Sequence, residues 1–205
     1  MEAKERARRL YCLVVMFFIV SLIGWLLETV NFIVIGSPMD RGYLTLPLCT
    51  VYGCALLAVY FAVGTPTKGR LRPLFERCRA LSPAARVFGR IGLILLYFVI
   101  VTVLSSAVEF ITGLIFEKGF GVTLWSYSGY RFNIMGYVCL SFSLLWGVLI
   151  TVGMGTVWPL LMKLVERMSY RTVKRLSIVL LVLLGGDFIF STSYLFTTGK
   201  RFRLF

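Results

Sequence analysis

The sequence predicts an all-α protein, a polytopic helix bundle with five transmembrane helices. Its 205 residues are 59% hydrophobic and only 15% charged, whereas soluble domains carry about 25% charged residues. Five apolar runs are long enough to cross roughly 30 Å of hydrocarbon, which takes about 20 helical residues. The runs cover 10–35, 44–63, 91–116, 134–162 and 176–196. We expect the whole chain, 1–205, to form a single membrane domain.

The individual runs carry further signals. The first run lacks a small-residue cleavage site, so we expect it to remain as a membrane helix. The second run has Pro47 in its first predicted turn, where proline is tolerated. The third and fourth runs exceed the minimum length, which indicates tilt or an interfacial extension. The fourth ends near Trp158 and Pro159.

The positions of Lys and Arg predict the orientation. Sixteen of the 22 basic residues lie in the amino-terminal tail, the loop 64–90 and the loop between the last two runs. Because loops rich in Lys and Arg stay on the cytoplasmic side, we expect the amino terminus inside and the carboxyl terminus outside. Within the loop 64–90, the segment Leu71–Leu81 is a candidate short basic helix at the membrane surface. The alternative for that loop is a solvated connection whose charges only set the topology.

Several function classes find no support in the composition. The net charge of +13 is spread over short segments between apolar runs, which is not the pattern of a nucleic-acid-binding domain. The chain has no His, and its five Cys form no CxxC pair. We therefore predict no metal site, no cofactor and no catalytic residue set.

Three acidic residues interrupt the apolar runs: Glu28, Glu109 and Asp187. A charge near the centre of the bilayer costs at least about 2.5–3.5 kcal/mol, so such residues face a partner or a wet cavity. At about 1.5 Å per residue, Glu28 and Glu109 lie roughly 10 Å below the outer boundary and Asp187 about 13 Å. The sequence therefore predicts three acids at one level in the outer half of the membrane.

Basic and polar residues approach the same level from the outer ends of the runs. Arg41 and Arg131 open the second and fourth runs, and an arginine side chain can reach from the interface to a carboxylate. We expect each arginine to pair with Glu28 or Glu109, within one hairpin or crossed between hairpins. The predicted cluster, for substrate binding or ion pairing, contains Glu28, Asn31, Arg41, Tyr52, Glu109, Glu117, Trp125, Tyr127, Arg131, Asn133 and Asp187. The alternative is structural: ion pairs that lock the helices in register, with Trp and Tyr in the aromatic belt.

The first two runs resemble the next two. Glu28 and the residues after it align with Glu109 and its successors. Past the outer loop, Arg41 and Cys49 match Arg131 and Cys139 at the same spacing. Both hairpins start on the same side, so the pattern predicts a parallel repeat of two hairpins followed by a fifth helix.

The same residues resemble a family of bacterial membrane proteins described as "putative ABC-transporter type IV" (CmpB). The blocks that carry the resemblance are Gly24–Glu28, Arg41–Leu44, Pro47–Cys49, Val51–Gly53, Glu109, Glu117–Lys118, Trp125, Tyr127–Ser128, Phe132–Ile134, Gly136 and Trp146–Gly147. The chain departs from the family pattern at Leu46, Thr50, Ser126 and Tyr137. Ser126 replaces an Asp, which counts against a mechanism that needs an acid in the outer loop. The resemblance implies a bacterial cytoplasmic membrane protein and a permease.

Three functions remain open at this point. The first is a permease or transporter of unassigned substrate, working as a homo-oligomer or with a separate ATPase, because the chain has no GxxxxGK[ST] loop. The second is a membrane enzyme or binding protein for lipid or lipid-linked substrates, with the arginines holding a phosphate. The third is an assembly or regulatory protein without catalysis. In all three, membrane lipids surround the chain.

Overall fold

The computed structural model describes residues 2–36, 43–200 and 202 of the chain. The helices in this part are α1 (Glu2–Ile35), α2 (Thr50–Ala62), α3 (Arg72–Arg77), α4 (Pro83–Phe120), α5 (Leu140–Gly155), α6 (Val157–Glu166) and α7 (Tyr170–Thr198). Two two-residue strands, β1 (Asn133–Ile134) and β2 (Val138–Cys139), pair antiparallel. The chain divides into two compact units, one formed by 1–53 with 162–205 and the other by 54–161. The predicted all-helical class is confirmed.

In the first unit, α1 packs along α7. The contact surface contains small and apolar side chains, and Met16, Val173 and Ser177 are completely buried. The hydroxyl of Ser177 donates to the carbonyl of Tyr11 at 2.9 Å. The same hydroxyl also donates to the carbonyl of Val173 in its own helix at 2.7 Å, so its hydrogen is shared between α7 and α1 and adds a polar contact between the two helices.

The turn before α7 is tied to the start of α1. The guanidinium of Arg8 donates to the carbonyls of Glu166 and Met168, at 2.6 and 3.2 Å. The carbonyl of Glu166 ends α6 and that of Met168 lies in the following turn, so neither has a helical partner and a cation satisfies both. Lys4 lies 5.5 Å from the ring centre of Tyr170, a cation–π contact. At the other side of the turn, Ser169 caps α7 by accepting from the backbone N–H of Thr172.

In the second unit, α4 packs against α5 at a glycine. A Cβ placed on Gly147 would lie 2.0 Å from Oγ1 of Thr102 and 2.8 Å from the ring of Phe98. Glycine therefore lets the two helices approach closely, as small residues do in membrane helix pairs. Ser106, one turn after Thr102 in α4, and Ser143, one turn before Gly147 in α5, form a hydrogen bond of 2.8 Å.

Three helices of the described chain are long and apolar enough to cross a membrane: 3–34, 83–120 and 170–198. A fourth crossing is obtained if α5 and α6, which meet at an angle of 44°, form one broken span. The break has a local cause in Pro159. Proline lacks an N–H and its ring clashes with the carbonyl four residues earlier, here that of Gly155, which is the last residue of α5.

Two predicted boundaries were wrong. The second run is helical only from Thr50 to Ala62, and Pro47 lies before that helix rather than inside its first turn. The fourth run was expected to be helical from 134, but its helix begins at Leu140 because 133–139 forms the β1–β2 hairpin. The prediction of a short helix within Leu71–Leu81 is confirmed by α3.

We expect Gly147→Ala to destabilise the protein. The added methyl has no room against Thr102 and Phe98, and overpacking costs about 1–3 kcal/mol. Gly153→Ala is the matched control, because it lies in the same helix with no atom within 4 Å of its Cβ position. Thermal unfolding of the purified protein in one detergent should show a lower midpoint for Gly147→Ala only. Equal midpoints for the two variants would contradict the close approach.

Candidate functional site

In the first unit, the carboxylate of Asp187 holds a non-helical segment, Tyr43–Cys49. Oδ1 accepts from the backbone N–H of Thr45 at 3.2 Å and from the Thr45 hydroxyl. Oδ2 accepts from the N–H of Leu46 at 3.0 Å. Asp187 is only 8% exposed, so its charge is stabilised by these donors rather than by water. Asp187, which lies in an apolar helix, thereby accepts hydrogen bonds from the backbone of a non-helical segment.

Two further hydrogen bonds fix the first and the last residue of the segment Tyr43–Cys49. The hydroxyl of Tyr43 donates to Thr192 of α7 at 2.9 Å. At the far end, the N–H of Cys49 donates to the carbonyl of Ser21 in α1 at 3.0 Å. The segment therefore crosses from α7 to α1, and α2 starts directly after it.

Glu28 lies at the α1 end of this segment. Its carboxylate accepts from the hydroxyl of Tyr52 and lies 3.5 Å from the thiol of Cys49. A Cβ on Gly24 would come within 2.4 Å of the Tyr52 ring, so the absence of a side chain there positions the tyrosine. Glu28 and Asp187 thus contact the same short segment. Asp187 accepts hydrogen bonds from Thr45, and Glu28 contacts Cys49, four residues later in the chain. The described partners of Glu28 are neutral donors.

Two predicted members of the cluster remain apart from these contacts. Asn31, one turn beyond Glu28, has an exposed side chain. Arg41 lies outside the described residues, so its pairing with Glu28 or Glu109 stays a prediction.

In the second unit, Glu109 of α4 accepts from the hydroxyl of Tyr127 at 2.9 Å. The tyrosine ring stacks on Phe142 with 5.0 Å between ring centres and 26° between planes. Its backbone N–H donates to the carbonyl of Gly136 at 2.8 Å. Tyr127 is therefore held at both ends, and its hydroxyl is directed to the carboxylate by the fold of the outer loop.

Asn133 and Trp125 organise that outer loop. The amide of Asn133 donates to the carbonyl of Tyr130 at 2.8 Å and accepts from the N–H of Gly136 at 3.1 Å. The indole N–H of Trp125 donates to the carbonyl of Tyr137 at 2.9 Å. The side chains of Asn133 and Trp125 thus form their hydrogen bonds with the backbone of the loop.

The loop also contains strained backbone. Phe132 and Met135 have positive φ angles of 55° and 53° although neither is glycine. Such left-handed residues cost of order 1–3 kcal/mol and persist only where the surroundings enforce them. Here the bonds of Asn133 between them provide that enforcement.

Among the described residues, no ion pair joins Glu109 to Arg131, and the alternative pairing of Arg131 with Glu28 stays a prediction. The side chain of Arg131 is exposed, and within the second unit the Glu109 oxygen accepts from Tyr127 instead. The carbonyl of Arg131 accepts from the thiol of Cys139 at 3.5 Å. The hairpin turns Arg131 away, which a prediction based on a continuous helix from 134 missed. Glu117 lies in the last turn of α4, where Lys118 approaches it at 3.4 Å and the phenol of Tyr137 donates to it.

Sequence reasoning missed several residues that shape both sites. These are Thr45, Leu46, Cys49, Tyr137 and Phe142. One signal was available: Pro47 in an otherwise helical run indicates a helix boundary, and the residue before a proline disfavours helical backbone. That signal places non-helical chain beside Asp187.

One family matches the chain over residues 15–192, with the description "Putative ABC-transporter type IV". The chain belongs to this family. No curated protein and no solved structure matches it. The resemblance predicted from the sequence blocks is confirmed, and the ABC-transporter type IV match covers every residue of the predicted cluster.

In this member of the family, the described site consists of two carboxylate centres, one in each unit. Glu28 is bound by Tyr52 and Cys49 in the first, and Glu109 by Tyr127 in the second. Among the described residues, no group of three or more His, Cys, Asp or Glu is arranged to hold a metal ion. The arrangement can offer carboxylates to a polar or cationic ligand or to a proton.

We expect Asp187→Leu to destabilise the first unit strongly. The change leaves the N–H groups of Thr45 and Leu46 without their acceptor, at a cost of about 1–3 kcal/mol for each buried group. Asp187→Asn keeps one carbonyl oxygen and should lose less. Gly186→Ala is the control, because a Cβ there meets nothing within 4 Å. Thermal unfolding in detergent measures the order, and an unchanged midpoint for Asp187→Leu would disprove the anchoring role.

Proposed function

We propose that this chain is the permease of a membrane transporter, with Glu28 and Glu109 as the groups that bind a polar solute or carry its coupling proton. The observation that carries the proposal is the binding of Glu28. Its described partners are the Tyr52 hydroxyl and the Cys49 thiol, which orient a carboxylate without neutralising it. Side-chain donors can give way to a solute without breaking backbone structure, unlike the backbone N–H groups of Thr45 and Leu46 that Asp187 holds.

The proposal includes five crossings, the second made by a broken helix. α2 has 13 residues, about 20 Å at the helical rise, which is less than the hydrocarbon thickness. The non-helical segment Tyr43–Cys49 supplies the remaining length. Non-helical backbone at membrane depth is tolerated where protein groups satisfy it, and here Asp187 and Ser21 accept its N–H groups. Broken helices of this kind surround the substrate in many transporters.

A parallel repeat of two hairpins is supported by one contact that both units contain. In the first unit, Phe17 and Ser21 pack on Gly53, 2.5 Å from its Cβ position. In the second, Phe98 and Thr102 pack on Gly147. Phe17 precedes Glu28 by as many positions as Phe98 precedes Glu109. This register pairs Gly53 with Gly147, which shifts the second helix by one turn from the pairing of Cys49 with Cys139.

A separate ATPase is the partner that this proposal requires if transport is driven by ATP. The family description names an ABC transporter, and the sequence contains no GxxxxGK[ST] loop to bind the nucleotide phosphates. Association of two copies of the chain would double the number of helices around the site.

We expect the amino terminus and the loop 64–90 on the cytoplasmic side. On a background without native cysteines, Phe75→Cys should react with a membrane-impermeant maleimide only after the cells are opened. Thr123→Cys, in the loop after α4, should react in intact cells. Labelling of Phe75→Cys from outside, or of Thr123→Cys only from inside, would reverse the orientation.

We expect Glu28→Gln and Glu109→Gln to abolish solute transport while the protein still folds and inserts. The amide keeps a hydrogen-bonding oxygen for Tyr52 or Tyr127 but removes the charge. Solute profiles of cells and medium, compared between a deletion strain and complemented strains, should differ with the native chain and fall at least about tenfold with either variant. Glu76→Gln is the control, since this exposed residue forms only a surface pair with Arg72.

The exchange of charges separates a binding role from a structural one. If Glu28 and Arg41 formed only a structural pair, Glu28→Arg combined with Arg41→Glu should restore stability and transport, because the Coulomb term is symmetric. We expect no recovery of transport, since a bound solute distinguishes the sign at each position. Full activity of Glu28→Ala would exclude Glu28 from both the solute and the proton role.

A further inference from the structure

A cavity of about 530 Å³ opens in the first unit, within the range of roughly 300–1,000 Å³ that is typical of ligand pockets. Its lining is apolar throughout. The side chains come from 15–22 of α1, 46–48 of the non-helical segment, 164–168 at the end of α6, and 176–183 of α7. Neither Glu28 nor its partners Tyr52 and Cys49 line the cavity.

One end of this cavity is closed by the non-helical segment. Leu46 is fixed to Asp187 of α7, and Cys49 is fixed to the Ser21 carbonyl of α1. Leu46, Pro47 and Leu48 therefore cross between the two helices where the α1 and α7 lining ends. At the opposite end, the lining comes from the end of α6 and from α7 beginning at Leu176.

The end of the cavity next to the α6–α7 turn is strongly basic. Arg8 reaches the carbonyl of Met168, and Met168 itself lines the cavity. Lys163 and Arg167 alternate with lining residues, and both are exposed. Three more basic residues stand in the first turns of α7, before its first lining residue: Arg171, Lys174 and Arg175. These three residues, with Arg8, Lys163 and Arg167, make six basic side chains, and Glu166 is the acidic residue of the same turn.

We propose that this cavity binds one acyl chain of an anionic phospholipid, whose phosphate lies among the basic residues of the α6–α7 turn. An apolar groove takes a hydrocarbon chain, and basic residues at a membrane surface select anionic over zwitterionic headgroups. The buried lining residues Val15, Phe18 and Val165 form the floor, with 4%, 5% and 4% exposure. The bound lipid fills the space below the segment that Asp187 holds.

The test uses the full chain in detergent with equal amounts of phosphatidylglycerol and phosphatidylcholine, and native mass spectrometry to count retained lipids. One phosphatidylglycerol should stay bound. Leu180→Trp, which fills the cavity, should lose it. Leu181→Trp, the next residue and outside the lining, should retain it. Arg167→Gln and Lys163→Gln should each lower the preference for phosphatidylglycerol by roughly fivefold.

A second measurement needs no substitution in the cavity. Phosphatidylglycerol with a photoreactive diazirine in its acyl chain is added to the unmodified protein, and the labelled peptides are mapped. Labelling should concentrate in 15–22 and 176–183 and fall when unlabelled phosphatidylglycerol is added. Four results would overturn the proposal: labelling spread evenly over all apolar helices, equal retention of phosphatidylcholine, no change with Leu180→Trp when the variant folds, or a cross-link between two copies through this groove.

Discussion

The arrangement of the first unit depends on the need of backbone N–H groups for acceptors in an apolar surrounding. The segment Tyr43–Cys49 forms no helix, so its donors require partners from elsewhere in the chain. Asp187 provides two oxygens to Thr45 and Leu46, and Ser21 provides a carbonyl to Cys49. The residues 46–48 that these bonds hold also line the cavity of the first unit. The charge of Asp187 is thereby used to stabilise structure.

Glu28 and Glu109 differ from Asp187 in what binds them. Asp187 accepts hydrogen bonds from the backbone N–H groups of Thr45 and Leu46. The two glutamates instead accept from the side-chain hydroxyls of Tyr52 and Tyr127. A side-chain donor can rotate and exchange its partner without breaking secondary structure. This difference supports an anchoring role for the aspartate and underlies the binding role proposed for the glutamates, although the sequence places all three in similar apolar helices.

The helical class and three of the crossing helices were predictable because long apolar runs have few other stable forms in a membrane. The start of α2 and the β1–β2 hairpin were not predicted, because hydropathy does not distinguish apolar helix from apolar extended chain. Leu44–Leu48 and 134–139 are both apolar enough to pass as helix. The partners of the acids were harder still. Arg131 was expected beside Glu109, but the choice of Tyr127 depends on how the loop folds back through Gly136.

The bond between Thr45 and Asp187 joins residues 142 positions apart, and this separation affects how the protein is made. At about 5–20 residues per second, the ribosome adds α7 on the order of 10 s after the second apolar run has left it. During that interval the N–H groups of Thr45 and Leu46 have no carboxylate to bind. The final helix therefore completes the hydrogen bonding of a segment that was made long before it.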